Sequence, residues 1–426
     1  MEKLIIEGGT KLSGEVSITG FKNAALPILA GTVLAGDKCI INNLPKIEDI
    51  ECLKEIMRCI GAKIATDRDG KTKVDTSSIK ECKAPHELSS RIRASYYLLG
   101  AGLGRFKNVE ISLPGGCNIG SRPIDLHIKG FEALGAKVEI NHGIISCKAD
   151  KLVGADIYMD TVSVGATINI MFAASMAEGT TIIRNAAREP HIVDIANLLN
   201  SMGGKVVGAG TDTVKITGVE SLHGAEHTVI PDQIEAGTYM VAAAGTGGDV
   251  TLKNVIPTHL EAITAKLREM DVEVLEYEDS IRVIGTDSLK SINIKTLPYP
   301  GFPTDLQQPM TTLLTRAAGT SIVNENMFEG RFKFVDELNR MGADIMVEGR
   351  TAVVQGAKSL SGAEVRATDL RAGAALIIAG LMAEGTTVVN EPYHIYRGYE
   401  NIEDKLIALG ARITKVESAE ENLKTS

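Results

Sequence analysis

In the stretch SLPGGCNIGSRPID, residues 112–125, one thiol, Cys117, stands among three glycines, with Arg122 five residues on and Asp125 three beyond that. Glycines on both sides free the backbone, so the thiol rides on a segment able to move. A nearby guanidinium lowers a thiol pKa and makes the sulfur a usable acid, base or nucleophile. No histidine neighbours it in sequence to indicate a Cys–His pair, and a lone cysteine in a glycine loop is equally an inert bystander. The other five, Cys39, Cys52, Cys59, Cys82 and Cys147, read as small core or surface residues. No CxxC pair or zinc-finger spacing occurs, which speaks for free thiols.

Six segments place a polar or capping residue before an apolar run: FKNAAL (from 21), SRIRAS (90), VSVGAT (162), PDQIEAG (231), PTDLQQP (303) and TDLRAG (368). They hold Lys22, Arg93, Ser163, Asp232 with Glu235, Asp305, and Asp369 with Arg371. Ser163 and Asp232 suit ordinary helix N-caps equally well. The cations are different, because they stand where an acid is normally preferred. Helix N-termini attract anions through unpaired N–H groups, so cations there point to a phosphate ligand. Arg122 and Arg397 add to this set, each 13 residues ahead of a recurring helix end, as does Arg331, 11 ahead of another. Guanidinium groups stay charged and grip phosphate or carboxylate with two donors at once, which fits a small, highly anionic ligand. The alternative is surface ion pairs of little worth.

The elements that must position these residues repeat. EIMRCIGAKI, GFEALGAKVEI, NLLNSMGGKVV, AKLREMDVEVL, ELNRMGADIMV and DKLIALGARIT each end an apolar helical run at a marker suited to a left-handed C-cap and then alternate like a strand. The markers are Gly61, Gly135, Gly203, Asp271, Gly342 and Gly410, spaced 74, 68, 68, 71 and 68 residues apart. That period is too long for a solenoid. ASMAEGTTIIRN (174–185) and GLMAEGTTVVNE (380–391) echo each other 206 residues apart. Three copies therefore make each half, giving two similar α/β domains with a cleft between them. Threefold pseudo-symmetry would gather three helix starts on one side of each domain, facing that cleft.

Composition bounds the partners. At 426 residues, 44% hydrophobic, the chain can bury two or three cores. A net charge of −9 argues against wholesale nucleic-acid or anionic-membrane binding and leaves room only for a local basic pocket. Eight Phe, nine Tyr and no Trp leave few stacking platforms. MEKLIIEGGTKLSGEV lacks a signal-peptide core, and no apolar run nears the roughly 20 residues that span a bilayer. The expected location is cytoplasmic.

Long segments carry a resemblance: FKNAALP, RIRAS, PGGCNIGSRPIDLHI, SVGAT, PDQIEAG, PGFPTDLQ, FEGRF, TDLRAG and YHIYRGYENIEDKL. Through them the chain, from residue 1 to about 415, resembles the UDP-N-acetylglucosamine enolpyruvyl transferases of the EPSP synthase/enolpyruvyl transferase family, which begin bacterial peptidoglycan precursor synthesis. The resemblance implies two inside-out α/β barrel domains, each of three βαβαββ repeats. It puts residues 22–230 in the domain bearing the cysteine loop and 1–21 with 231–426 in the other. It implies transfer of a carboxyvinyl group from phosphoenolpyruvate to the 3′-hydroxyl of UDP-N-acetylglucosamine, with release of phosphate.

Site residues follow from the same resemblance. Cys117 is implied as the acid that protonates the vinyl methylene, as the thiol that forms a covalent phosphoenolpyruvate adduct, and as the target of the epoxide fosfomycin. Asp305 is the candidate base at the sugar hydroxyl. Lys22, Asn23, Arg122, Arg331, Arg371 and Arg397 would hold phosphoenolpyruvate, with Lys22 and Arg397 also counted in the catalytic set. Asn23, Arg93, Arg122, Pro123, Ile124, Asp125, Leu126, Ser163, Val164, Gly165, Asp305 and Met327 would contact the nucleotide sugar. No cofactor, metal, nucleic acid or membrane is expected; fixed cations stand in for a metal. Thr161, where some members carry a lysine near the diphosphate, and Asn118, where alanine is frequent, depart from the pattern. The rivals are the shikimate 3-phosphate enzyme, whose GNAGTAxR segment is absent here, and a silent nucleotide-sugar-binding paralogue.

Overall fold

The computed structural model describes residues 2–113, 120, 123–356 and 359–417, so Cys117, Asn118 and Arg122 lie outside the described residues. The six recurring helix ends share one geometry. The marker takes a left-handed backbone each time, with φ of 110° at Gly61, 94° at Gly135 and Gly203, 65° at Asp271, 92° at Gly342 and 96° at Gly410. The next N–H then donates to the carbonyl five residues upstream: Ala62 to Met57, Ala136 to Phe131, Gly204 to Leu199, Val272 to Leu267, Ala343 to Leu338 and Ala411 to Leu406. This Schellman closure satisfies an orphan carbonyl and aims the chain into the following strand.

Each repeat builds a four-stranded mixed sheet, and six such sheets are described. Three repeats are continuous. In the fifth repeat, for example, Ile294–Lys295 pairs parallel with Thr320–Asn324, which pairs antiparallel with Thr351–Gln355, whose other neighbour is Asp344–Glu348. The other three are stitched from distant segments. Ser13–Ser17 pairs with Asp249–Lys253, Glu226–Thr228 with Lys38–Asn42, and Glu2–Glu7 lies between Thr386–Asn390 and Arg412–Glu417. Alternating burial, as in Thr180–Arg184, shows that one face of each strand turns inward.

Two compact units result: described residues 2–18, 120 and 232–417 form one, and 19–113 with 123–231 the other. Inside the first, the helices Gln233–Thr246, Gln307–Leu314 and Leu370–Met382 pack on one another. Inside the second, Tyr97–Phe106 packs on both Lys22–Gly31 and Val164–Ala174. These six helices are buried nearly all round and are rich in Ala, Gly and Thr, which lets their axes approach. Helices within and sheets around make each unit an inside-out α/β barrel, as expected from the sequence.

Candidate active site

In the first unit the three inner helices begin side by side, and their first residues form a buried ionic cluster. Asp232 and Asp369 are N-caps: Asp232 accepts from the N–H groups of Ile234 and Glu235, Asp369 from those of Arg371 and Ala372. The second Asp369 oxygen accepts from Gln308 Nε2, which also reaches the carbonyl of Arg331. Asp305 sits in the 3₁₀ turn Thr304–Leu306 that leads into the helix Gln307–Leu314. Its carboxylate is gripped on both sides. Arg331 Nη2 donates to Oδ1 at 2.5 Å, and Arg371 Nη2 and Nε donate to Oδ2 at 3.1 and 3.3 Å.

Both guanidiniums are almost fully buried, at 3% and 2% exposed, while the Asp305 side chain keeps 24%. Burial pushes the Asp305 pKa upward, but Arg371 and Arg331 together overcome it and hold the carboxyl well below the usual range. Arg331 Nε and Arg371 Nη1 are buried with no hydrogen-bond partner among the described residues. Two cations facing one carboxylate, with donors left over, is a site suited to a further anion. Asp232 differs from Asp305. Burial pushes it up to about 6, and the nearby Arg371 only partly offsets this.

In the second unit the matching helix starts carry the expected cations and polar groups. Lys22 opens the helix Lys22–Gly31 and pairs with Asp49 at 2.8 Å, both side chains nearly buried. Arg93 lies over the ring of Tyr96, 5.3 Å from its centroid. Ser163 caps Val164–Ala174 by accepting from Ala166 N. Gly165 is required by space, because a Cβ there would fall 2.5 Å from the Tyr96 hydroxyl. Tyr96 in turn meets His127 edge-on at 5.0 Å. Asn169 accepts from Gly100 N with Oδ1 and so offers Nδ2 to His127 Nδ1 at 3.0 Å, which leaves the imidazole proton on Nε2. Burial, aided by Arg93, pushes His127 down to about 3, so it is neutral. It anchors the helix Asp125–Ala133, where Asp125 is exposed and Leu126 and the preceding Ile124 are buried. Pro123, Thr161 and Asp125 all face solvent.

The structure thus brings Asp305, Arg331 and Arg371 into contact and sets Arg93 beside Gly165 through Tyr96. Arg397 follows the short helix Tyr393–Tyr396 and is half-buried, as are Asn23, Val164 and Met327. Several positioning groups escape the sequence. Glu325 is wholly buried and accepts from Thr296 and Thr304 hydroxyls at 3.0 and 2.9 Å and from the N–H groups of Met327 and Phe328 at 2.7 and 3.2 Å. It ties the Asp305 turn to the loop that carries Met327 and leads to Arg331. Asp49, Tyr96, His127 and Asn169 are of the same kind. Tyr96 and His127 lie inside or beside segments that carry the resemblance, but their role depends on contacts between distant parts of the chain.

A family profile described as EPSP synthase (3-phosphoshikimate 1-carboxyvinyltransferase) matches residues 6–406. A Clostridium botulinum protein named UDP-N-acetylglucosamine 1-carboxyvinyltransferase is 57% identical over 417 residues, 98% of this chain and 100% of its own. A protein of Caldanaerobacter subterraneus with the same name, numbered 3, is 58% identical over 416 residues, again 98% and 100%. One of Bacillus cereus, numbered 2, is 54% identical over 424 residues, 100% and 99%. Among solved structures, the enolpyruvyl transferase NikO from Streptomyces tendae is 27% identical with a TM-score of 0.90, over 98% of this chain and 99% of that one. An EPSP synthase from Acinetobacter baumannii, 18% identical, reaches 0.76 over 98% and 100%, a likeness of fold alone.

Proposed function

The chain belongs to the EPSP synthase (3-phosphoshikimate 1-carboxyvinyltransferase) family, and we propose that it transfers the carboxyvinyl group of phosphoenolpyruvate to the 3′-hydroxyl of UDP-N-acetylglucosamine, releasing phosphate. The observation that carries this is the end-to-end identity of 54–58% with proteins named for that acceptor. The reaction is the first committed step of bacterial peptidoglycan precursor synthesis and belongs to the cytoplasm. Among the described residues no helix is long and apolar enough to cross a membrane.

In this reading the Asp305 carboxylate takes the proton of the 3′-hydroxyl as its oxygen attacks the substituted vinyl carbon. The Cys117 thiol delivers a proton to the methylene, giving a tetrahedral phosphorylated intermediate. A proton then leaves the new methyl group, the bond to the phosphate oxygen breaks, and phosphate departs. Lys22, Asn23, Arg122, Arg331, Arg371 and Arg397 hold the phosphate and carboxylate of the donor. Arg93, Pro123, Ile124, Asp125, Leu126, Ser163, Val164, Gly165 and Met327 hold the nucleotide sugar.

The clamp on Asp305 gives this assignment a physical sequence. A carboxylate held by two guanidiniums is a weak base. Phosphoenolpyruvate, held on the donors that Asp305 leaves free, brings negative charge to the same guanidiniums, so its arrival offsets their pull and raises the basicity of Asp305 when the donor is in place. Cys117 is also the residue that fosfomycin alkylates in this reading.

The test is phosphate release from phosphoenolpyruvate with UDP-N-acetylglucosamine, and separately with shikimate 3-phosphate, with mass spectrometry of the product. Release with the nucleotide sugar alone and a carboxyvinyl gain in mass is expected. Release only with shikimate 3-phosphate, or with neither acceptor, would overturn the proposal.

A further inference from the structure

Arg371 carries the heaviest duty in the cluster, since two of its donors fix Asp305. Besides the nearby Asp232, it meets an aromatic ring. The guanidinium carbon lies 5.1 Å from the ring centroid of Tyr399, and both side chains are 2% exposed. The Tyr399 hydroxyl is 2.8 Å from Thr238 Oγ1, while Thr238 Oγ1 also donates to the carbonyl of Ile234 at 2.8 Å. A threonine hydroxyl has one proton, and the helix carbonyl takes it. Tyr399 must therefore donate to Thr238. Its oxygen keeps only lone pairs for any other neighbour, and lone pairs suit a cation.

From this directed chain we infer that Tyr399 is a positioning residue: with Thr238 behind it, it fixes the Arg371 fork so that Nε and Nη2 meet Asp305 and Nη1 is left for the donor anion. The inference rests on the function proposed above. It joins three elements on one side chain: the helix Gln233–Thr246 through Thr238, the helix Leu370–Met382 through Arg371, and the segment after Arg397 through Tyr399. The electrostatics agree, since burial raises the Tyr399 pKa and Arg371 pulls against it. Aromatic support of a guanidinium is strongest when, as here, water is excluded.

Tyr399→Phe keeps the ring and removes the oxygen. The KM for phosphoenolpyruvate is expected to rise roughly tenfold, the upper worth of the lost Tyr399–Thr238 hydrogen bond that holds the ring against Arg371, with the KM for the nucleotide sugar unchanged. Thr238→Val, which leaves Tyr399 and Arg371 in place, should shift the same constant in the same direction. In an Arg371→Lys background Tyr399→Phe should add less than about twofold, because its effect passes through Arg371. An unchanged donor KM, an equal rise in both KM values, or a full tenfold effect retained on Arg371→Lys would overturn the assignment. The Arg371 Nε–H resonance provides a readout without substrate: slow solvent exchange in the wild type and fast exchange in Tyr399→Phe are expected. Equal exchange in both proteins counts against Tyr399 alone. Absence of turnover in the wild type counts against the proposed function alone.

Discussion

At the scale of single residues, the balance around Asp305 sets the chemistry and its pH dependence. Asp305→Ala should lower turnover by roughly 10²–10⁴, the usual worth of a positioned base, with the fold retained; turnover near the wild-type rate would move the base elsewhere. Cys117→Ser should lower turnover and abolish fosfomycin sensitivity while nucleotide-sugar binding persists, and calorimetry with the sugar alone checks the second half. Arg371→Leu leaves Arg331 alone against burial, so the folded pKa of Asp305 rises. Activity that needs the carboxylate is then lost as pH falls through that raised value, and kcat/KM at about pH 5.5 relative to about pH 8 should drop well below the wild-type ratio. Asp232 has the opposite sign. Its folded pKa is raised to about 6 from 3.8, so the folded protein holds a proton that the unfolded chain releases. The contribution of Asp232 to stability is fully present below 3.8 and is lost as pH rises through about 6. Asp232→Asn keeps the N-cap and removes the titration, so urea unfolding across that window should flatten by up to about 2–3 kcal/mol relative to wild type.

At the scale of elements, the helix ends were open to reading because one chain turn needs one kind of residue. Five of the six left-handed closures use glycine; Asp271 alone does not, and it spends its side chain on a 2.8 Å ion pair with Lys290. Asp271→Gly should raise stability by about 0.5–1 kcal/mol, since a non-glycine residue at φ of 65° is strained and an exposed ion pair returns little. An unchanged or lower unfolding free energy would show that the pair outweighs the strain. Caps and markers are local, so Ser163, Asp232 and Gly61 could be placed from sequence alone. Glu325, Asn169 and Tyr399 could not. Their partners lie 29, 42 and 161 residues away, and nothing in an isolated stretch records which distant hydroxyl or imidazole will meet them. The same limit explains why the arginines could be picked out in the sequence as candidates for an anion, while their grip on Asp305 could not.

At the scale of the whole molecule, one unit is inserted within the other. Residues 19–231 leave and re-enter at neighbouring points: Gly20 bridges Pro231, and Phe21 N donates to the carbonyl of Ile230 at 2.8 Å. Adjacent ends and a self-contained core predict that residues 19–231, expressed alone, fold with a single cooperative melt and dispersed amide resonances. A non-cooperative melt would show that the unit depends on its host. The host has no such independence in time. Its strand Glu2–Glu7 is completed by Arg412–Glu417, so on the ribosome it waits for a partner made about 400 residues later. At about 5–20 residues per second that interval is roughly 20–80 s. The inserted unit can fold within it, whereas Glu2–Glu7 spends it as an unpaired apolar edge, and it is there that chaperone binding or misassembly during synthesis should concentrate.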